Sequence, residues 1–141
     1  MAPLILVVDD DEPIRQYAKL VLEQAGYEVV TACSGEDALR YLIMGRPDLL
    51  VMDLSMPGMS GLDLLARVRL RQRFKTLPAI VFSASALGVD IQAAVRAGAM
   101  GYLLKPFTAE ELASKVAAVL AGSGPGHWAG SATAVRESSR C

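Results

Sequence analysis

At 141 residues and 15.0 kDa the chain has room for one domain with a sizeable core. Its 52% apolar and 21% charged residues exclude a disordered polyelectrolyte, and a formal net charge of −1 excludes bulk attraction to nucleic acid or an anionic membrane. No apolar run approaches the ~18 residues of a membrane span, the first residues lack a signal peptide's basic leader, and Cys33 and Cys141 are too few for a disulfide framework or a zinc site, so the expected setting is cytoplasmic.

Leu4 to Val8 is an apolar run that ends in Asp9-Asp10-Asp11-Glu12. Ile14, Tyr17, Ala18, Val21, Leu22 and Ala25 then recur at helical spacing, with Pro13 in the first turn, Gly26 past the end and Asp11 expected as the cap. Tyr27 to Ala32 reads as a β-branched strand. Ser34 and Asp37 resemble a capping box before a helix carrying Ala38, Leu39, Leu42 and Ile43, stopped by Gly45 and Pro47.

Leu49 to Met52 run straight into Asp53, and Pro57 and Gly58 make a turn. A short apolar run bounded by turn residues reads as a strand buried on both faces. Ser60 to about Gln72 is expected to be helical, with Leu62, Leu65, Ala66 and Val68 inward. Arg67, Arg69, Arg71, Arg73 and Lys75 crowd its far end, as a solvated face and as cations near a helix C-terminus. Pro78 to Ser83 is a fourth apolar run, Leu87 to Ala97 a helix closed by Gly98, and Met100 to Leu104 a fifth strand before Lys105-Pro106. Thr108 and Glu111 form a capping box ahead of Leu112, Val116, Val119 and Leu120.

Strand and helix thus alternate five times with short connections, which implies an α/β fold with a parallel, doubly wound sheet. Residues 1–121 make the expected domain; 122–141, rich in Gly and Ser and holding the lone His127, read as a flexible tail or linker.

Four of the five strands end in a polar residue: Asp9 and Asp10, Asp53, Ser83, and Lys105. In a doubly wound sheet these ends share one rim, where ligands bind. Like charges at ~4 Å repel by ~1 kcal/mol even at water's dielectric, so three carboxylates there need cations. Mg²⁺ (or Mn²⁺) suits so few protein ligands, because it keeps waters and takes phosphate oxygens readily. Three carboxylates against one dication and Lys105 leave a neutral pocket able to admit a phosphoryl group. Asp53 is then the nucleophile, and Lys105 and Ser83 stabilise the phosphoryl oxygens.

Leu-Val-Val-Asp9-Asp10, Val-Met-Asp53-Leu-Ser-Met-Pro57-Gly58, Val-Phe-Ser83-Ala84 and Gly101-Tyr102-Leu-Leu-Lys105-Pro106-Phe107 together resemble bacterial response-regulator receiver domains of the chemotaxis-regulator kind. The resemblance covers roughly residues 4 to 120 and implies a flavodoxin-like (βα)5 sheet of strand order 2-1-3-4-5. It further implies Asp53 as phosphoacceptor, Asp10 as a direct metal ligand, Asp9 acting mostly through a metal-bound water, and the Ser55 backbone carbonyl as a ligand. By the same resemblance Ser83 and Tyr102 form a switch, Lys105 is the motif's lysine, and its bond to Pro106 is cis. Ser55 and Ser85 would flank the attacking water's route.

The partners so implied are a histidine kinase or histidine phosphotransfer protein, then a downstream target or fused output domain. Helix four, strand five and helix five would form the responsive face and a phosphorylation-dependent homodimer interface. No direct nucleic-acid or membrane contact is expected, and no enzymatic role beyond self-phosphotransfer and slow autodephosphorylation. Three alternatives fit less well. An aspartyl-phosphate hydrolase of the haloacid dehalogenase type would place its nucleophile after the first strand. A flavodoxin-like FMN carrier would not line its phosphate loop with acids. A receiver-like interaction module that is never phosphorylated would normally lose an acid or the lysine.

Overall fold

The computed structural model describes residues 2–84 and 87–122. Five strands, β1 (Leu4–Val8), β2 (Glu28–Ala32), β3 (Leu49–Asp53), β4 (Ala79–Ser83) and β5 (Gly101–Leu104), alternate with five helices. These are α1 (Glu12–Gln24), α2 (Gly35–Leu42), α3 (Gly61–Arg69), α4 (Gly88–Arg96) and α5 (Ala109–Gly122). All neighbouring strands pair in parallel, in the order β2-β1-β3-β4-β5. This is the doubly wound, flavodoxin-like sheet expected. Among the described residues no helix is long and apolar enough to cross a membrane.

Successive strand residues point to opposite faces, so each apolar run serves two cores. Ile5, Val7, Leu49, Val51, Ile80 and Phe82 pack with Ala18 and Leu22 of α1 and Leu112 and Val116 of α5. Leu6, Val8, Leu50, Met52 and Val81 pack with Leu42 of α2, Leu64, Leu65 and Val68 of α3, and Ala94 of α4. β1, β3 and β4 are buried throughout.

The helices differ from expectation in phase and ends. On α1 the buried residues are Arg15, Ala18, Val21 and Leu22, leaving Tyr17 partly in solvent. On α3 the buried stripe is Gly61, Leu64, Leu65 and Val68; Ala66 faces water. That helix stops at Arg69, and a 3₁₀ turn over Gln72–Phe74 follows, because Phe74 turns inward to be buried. Asp11 occupies the N-cap of α1, but its side chain makes no capping bond. Ser34 accepts from the Asp37 N–H, whereas Asp37 reaches back to the Cys33 N–H rather than closing a box on Ser34. The box at Thr108 and Glu111 is complete, and a further one joins Ser60 and Asp63. α5 includes Gly122, and the rest of the expected tail, 123–141, lies outside the described residues.

Part of the arginine ladder has fixed duties. Arg69 donates to the Phe74 carbonyl at 2.9 Å and the Gly98 carbonyl at 3.0 Å, closing the end of α4 where Gly98 takes φ +101°. Arg73 donates to the Leu42 and Ile43 carbonyls at the end of α2.

At the opposite end of the sheet from the acidic residues, Asp48 replaces a strand partner. Its Oδ2 accepts the Leu4 N–H at 2.8 Å and its own N–H donates to the Leu4 carbonyl at 2.7 Å. Asp48→Ala would leave a buried N–H without its acceptor and should cost about 1–3 kcal/mol. The expected readout is a lower urea midpoint at unchanged m; an unchanged midpoint would remove Asp48 from the account of how β1 is held.

Candidate functional site

The parallel register delivers the polar strand ends to one rim. Val8 pairs with Met52, which sets Asp9 level with Asp53. Asp53 pairs with Phe82 and Ser83 with Leu104, so the rim steps outward by one residue per strand toward Lys105. The Lys105 side chain folds back over it. Its Nζ lies 3.0 Å from Asp9 Oδ2 and 3.2 Å from Asp53 Oδ1, forming two ion pairs. Asp9, Asp10 and Asp53 each present a carboxylate oxygen within 4.8 Å of the others. Asp9 and Asp53 are buried and Asp10 is exposed, so the cluster opens to solvent on one side.

Asp9 splits its two oxygens between the backbone and the ion pair. Its Oδ1 accepts the Asp11 N–H at 2.9 Å while Oδ2 faces Lys105. Burial, then the Asp9 charge, raises the Asp53 pKa above the usual carboxylate value; Lys105 and the Ser55 backbone N–H oppose that rise without cancelling it. Burial alone would lower the Lys105 ammonium, but Asp9 and Asp53 together outweigh it and raise its pKa. Three carboxylates against one ammonium leave an excess of negative charge. An all-oxygen set of this kind fits a hard divalent cation, and the Asp cluster could hold one.

The remaining expected residues lie on β4, β5 and the loops after β3 and β5. Ser83 is buried, and its carbonyl accepts the Lys105 N–H at 2.7 Å. Tyr102 pairs in register with Val81 and packs, half-buried, against the α2–α3 core. The Lys105–Pro106 bond is cis. Ser55 is exposed and borders, with Ser60, Ser83 and Asp90, a cleft of about 500 Å³. Ser85 lies outside the described residues.

Two contributors were not foreseen. Arg15 is buried and donates to the Asp9 carbonyl at 2.8 Å, holding the acidic loop from α1. Its place one turn before Ala18 was the available signal. Gly61 begins α3 against the backbone of Asp53: a Cβ there would sit 2.3 Å from the Asp53 carbonyl oxygen. Its N–H donates to Leu54 O at 2.9 Å, and Met56 and Met59 bury themselves on either side of the Pro57-Gly58 turn. The loop that carries Asp53 is therefore clamped to the helix that follows it.

Comparison with known proteins bears on the family and the fold. A family model described as the response regulator receiver domain matches residues 5–117. The chemotaxis protein CheY of Pseudomonas aeruginosa is 42% identical over 113 residues, covering 79% of this chain and 91% of that protein. The transcriptional regulatory protein AfsQ1 of Streptomyces coelicolor is 37% identical over 118 residues, covering 84% of this chain; the chain spans 51% of AfsQ1, about half its length. The structure of the chemotaxis protein CheY4 of Vibrio cholerae superposes with a TM-score of 0.82 at 34% identity, over 84% of this chain and 99% of that one.

Two outcomes follow from the geometry. Gly61→Ala must displace the Asp53 backbone, and overpacking of this kind costs about 1–3 kcal/mol. Its thermal midpoint should fall by several degrees; a wild-type midpoint would refute the clamp. Asp53 has a raised folded pKa, so its contribution is favourable below the unfolded value and is lost as pH rises through the folded one. At neutral pH its charge therefore costs stability. Asp53→Asn should melt above the wild type in EDTA, and the gap should shrink on acidification or on adding Mg²⁺. A lower midpoint for Asp53→Asn in EDTA would contradict this.

Proposed function

The chain belongs to the response regulator receiver family, and from that membership we propose that Asp53 accepts a phosphoryl group from a phosphohistidine donor. The receiver domain is a signalling module of two-component systems. The observation that carries the assignment to Asp53 is the Lys105 ammonium standing between Asp9 and Asp53, with Asp10 completing an acidic cluster open to solvent.

In the transfer an Asp53 carboxylate oxygen attacks phosphorus, the P–N bond to the donor's imidazole breaks, and the electron pair leaves with that nitrogen. Lys105 holds Asp53 in place and offers its charge to the phosphoryl oxygens as the new acyl phosphate forms. Asp9, Asp10 and Asp53, with the Ser55 backbone carbonyl, would hold Mg²⁺ or Mn²⁺, which when bound adds positive charge beside the incoming phosphoryl oxygens. Ser83, at the end of β4, turns its hydroxyl to the phosphoryl group, and Tyr102, one strand over, moves further into the core it already touches. Hydrolysis returns the domain to rest: water attacks phosphorus past Ser55, and the Asp53 carboxylate leaves.

A histidine kinase or phosphotransfer protein supplies the phosphoryl group, and the face built from α4, β5 and α5 passes the change to a target protein, an attached output domain or a second copy. The chain acts as a phosphoacceptor rather than as an enzyme on other substrates. Residues 1–121 carry these functions.

Incubation with acetyl phosphate and Mg²⁺ should label the wild type, and Asp53→Asn should abolish labelling. Lys105→Met should cut the labelling rate by 10²-fold or more, the scale of losing one preorganised charge at a transition state. Labelling that survives in Asp53→Asn would overturn the assignment.

A further inference from the structure

The net charge of −1 hides a strong segregation. Half of the chain's Lys and Arg residues fall between Arg40 and Lys75, and no acid occurs from residue 64 to 89. α2 and α3 both run away from the acidic rim, so their C-termini lie at the amino end of the strands. Arg73, spanning from the 3₁₀ turn to the last carbonyls of α2, locks those two ends together. Partial desolvation and then repulsion from Arg46 and Arg71 depress the Arg73 pKa, so like charge gathers around this end of α2. Among the described residues, none of Arg46, Arg67, Arg71, Arg73 and Lys75 has a carboxylate within ion-pair distance.

Three large apolar side chains project from the same end. Ile43 is 57% exposed, Met44 71% and Leu70 83%. Ile43 and Leu70 are the C-caps of α2 and α3 and Met44 follows Ile43, with Arg46, Arg71 and Arg73 close by in sequence, and all three apolar side chains are exposed to solvent. A nucleic-acid backbone would use the cations and gain nothing from Ile43, Met44 and Leu70. A bilayer surface uses both, because cations meet headgroups while short apolar tips enter the acyl boundary.

We propose that the Ile43–Arg46 and Leu70–Lys75 surface, at the end of the sheet opposite Asp53, is a docking face for an anionic phospholipid membrane. Binding there leaves the acidic rim facing away from the bilayer, so phosphoryl transfer and membrane attachment can occur together. A patch within about 10 Å of the lipid feels its own charge rather than that of the whole chain, which is why a near-neutral protein can bind. Each cation near such a surface contributes a factor of about five in affinity.

The test is co-sedimentation of the full chain with vesicles of phosphatidylcholine alone or mixed with phosphatidylglycerol. Binding is expected only to the mixed vesicles and should fall as NaCl rises. Arg46→Gln/Arg71→Gln/Lys75→Gln, three side chains with no ion-pair partner among the described residues, should weaken it about 100-fold. Met44→Ser/Leu70→Ser should weaken it at every salt concentration. Both variants should keep wild-type melting and acetyl phosphate labelling. No binding to the mixed vesicles would overturn the proposal. So would duplex DNA that displaces the protein from vesicles while Met44→Ser/Leu70→Ser leaves affinity unchanged, which would make the face a nucleic-acid one.

Discussion

A single ammonium group balances the rim of this sheet. Asp9 and Asp53 come from adjacent central strands, and backbone pairing forces their carboxylates together whether or not they repel. Lys105 does not cancel the combined effect of burial and of the Asp9 charge, since Asp53 keeps a raised pKa even with the ion pair in place. The remaining negative charge suits the cluster to a divalent cation. A rim neutralised by a second lysine would have less attraction for a divalent ion. Instability at Asp53 and its proposed chemistry are one property seen from two sides.

The sheet imposes this arrangement through register. Because the pleat has a period of two, slipping β3 by one residue against β1 would move Leu50 and Met52 to the other core and carry Asp53 out of line with Asp9. The two apolar faces therefore fix the distance between carboxylates more firmly than any contact at the rim. The outward step from β3 to β5 leaves Lys105 two residues beyond Asp53, so a long, flexible side chain is needed to reach back. Gly61 and Arg15 hold the two loops that the register alone leaves free: one admits close approach of α3, and the other grips the Asp9 carbonyl from α1.

The strands were legible because buried runs of four or five apolar residues end abruptly in a charge or a turn, a signal that needs no tertiary information. Helix existence was equally plain, but helix phase was not. Ala66 and Leu64 are both acceptable on an apolar stripe, and only the burial of Gly61 against Asp53 decides which of them turns inward. Phe74 broke the expected continuation of α3 in the same way, its burial outweighing the helix propensity of the arginines around it. The residues of the rim were legible as chemical types at strand ends, and the charge count already set Lys105 against the carboxylates; which two oxygens it spans needed the side-chain geometry. Arg15 was passed over because a cation on a helix is ordinarily solvent-facing, and its partner is a carbonyl that carries no mark in the sequence.

Charge segregation follows from the same topology. Every helix leaves the carboxyl end of a strand, so every helix N-terminus lies near the rim, and acids such as Glu12, Asp37, Asp63, Asp90 and Glu111 favour those first turns. The C-termini collect at the other end, where Arg69 and Arg73 satisfy exposed carbonyls of helices α4 and α2. A parallel α/β fold that caps its helices by charge becomes a dipole along the strand axis. Arg46, Arg71 and Lys75 go beyond that need, since no carbonyl or carboxylate among the described residues claims their side chains, and they stand beside three apolar tips in water. Capping thus accounts for two of the arginines and leaves the others as a surface with unspent binding capacity.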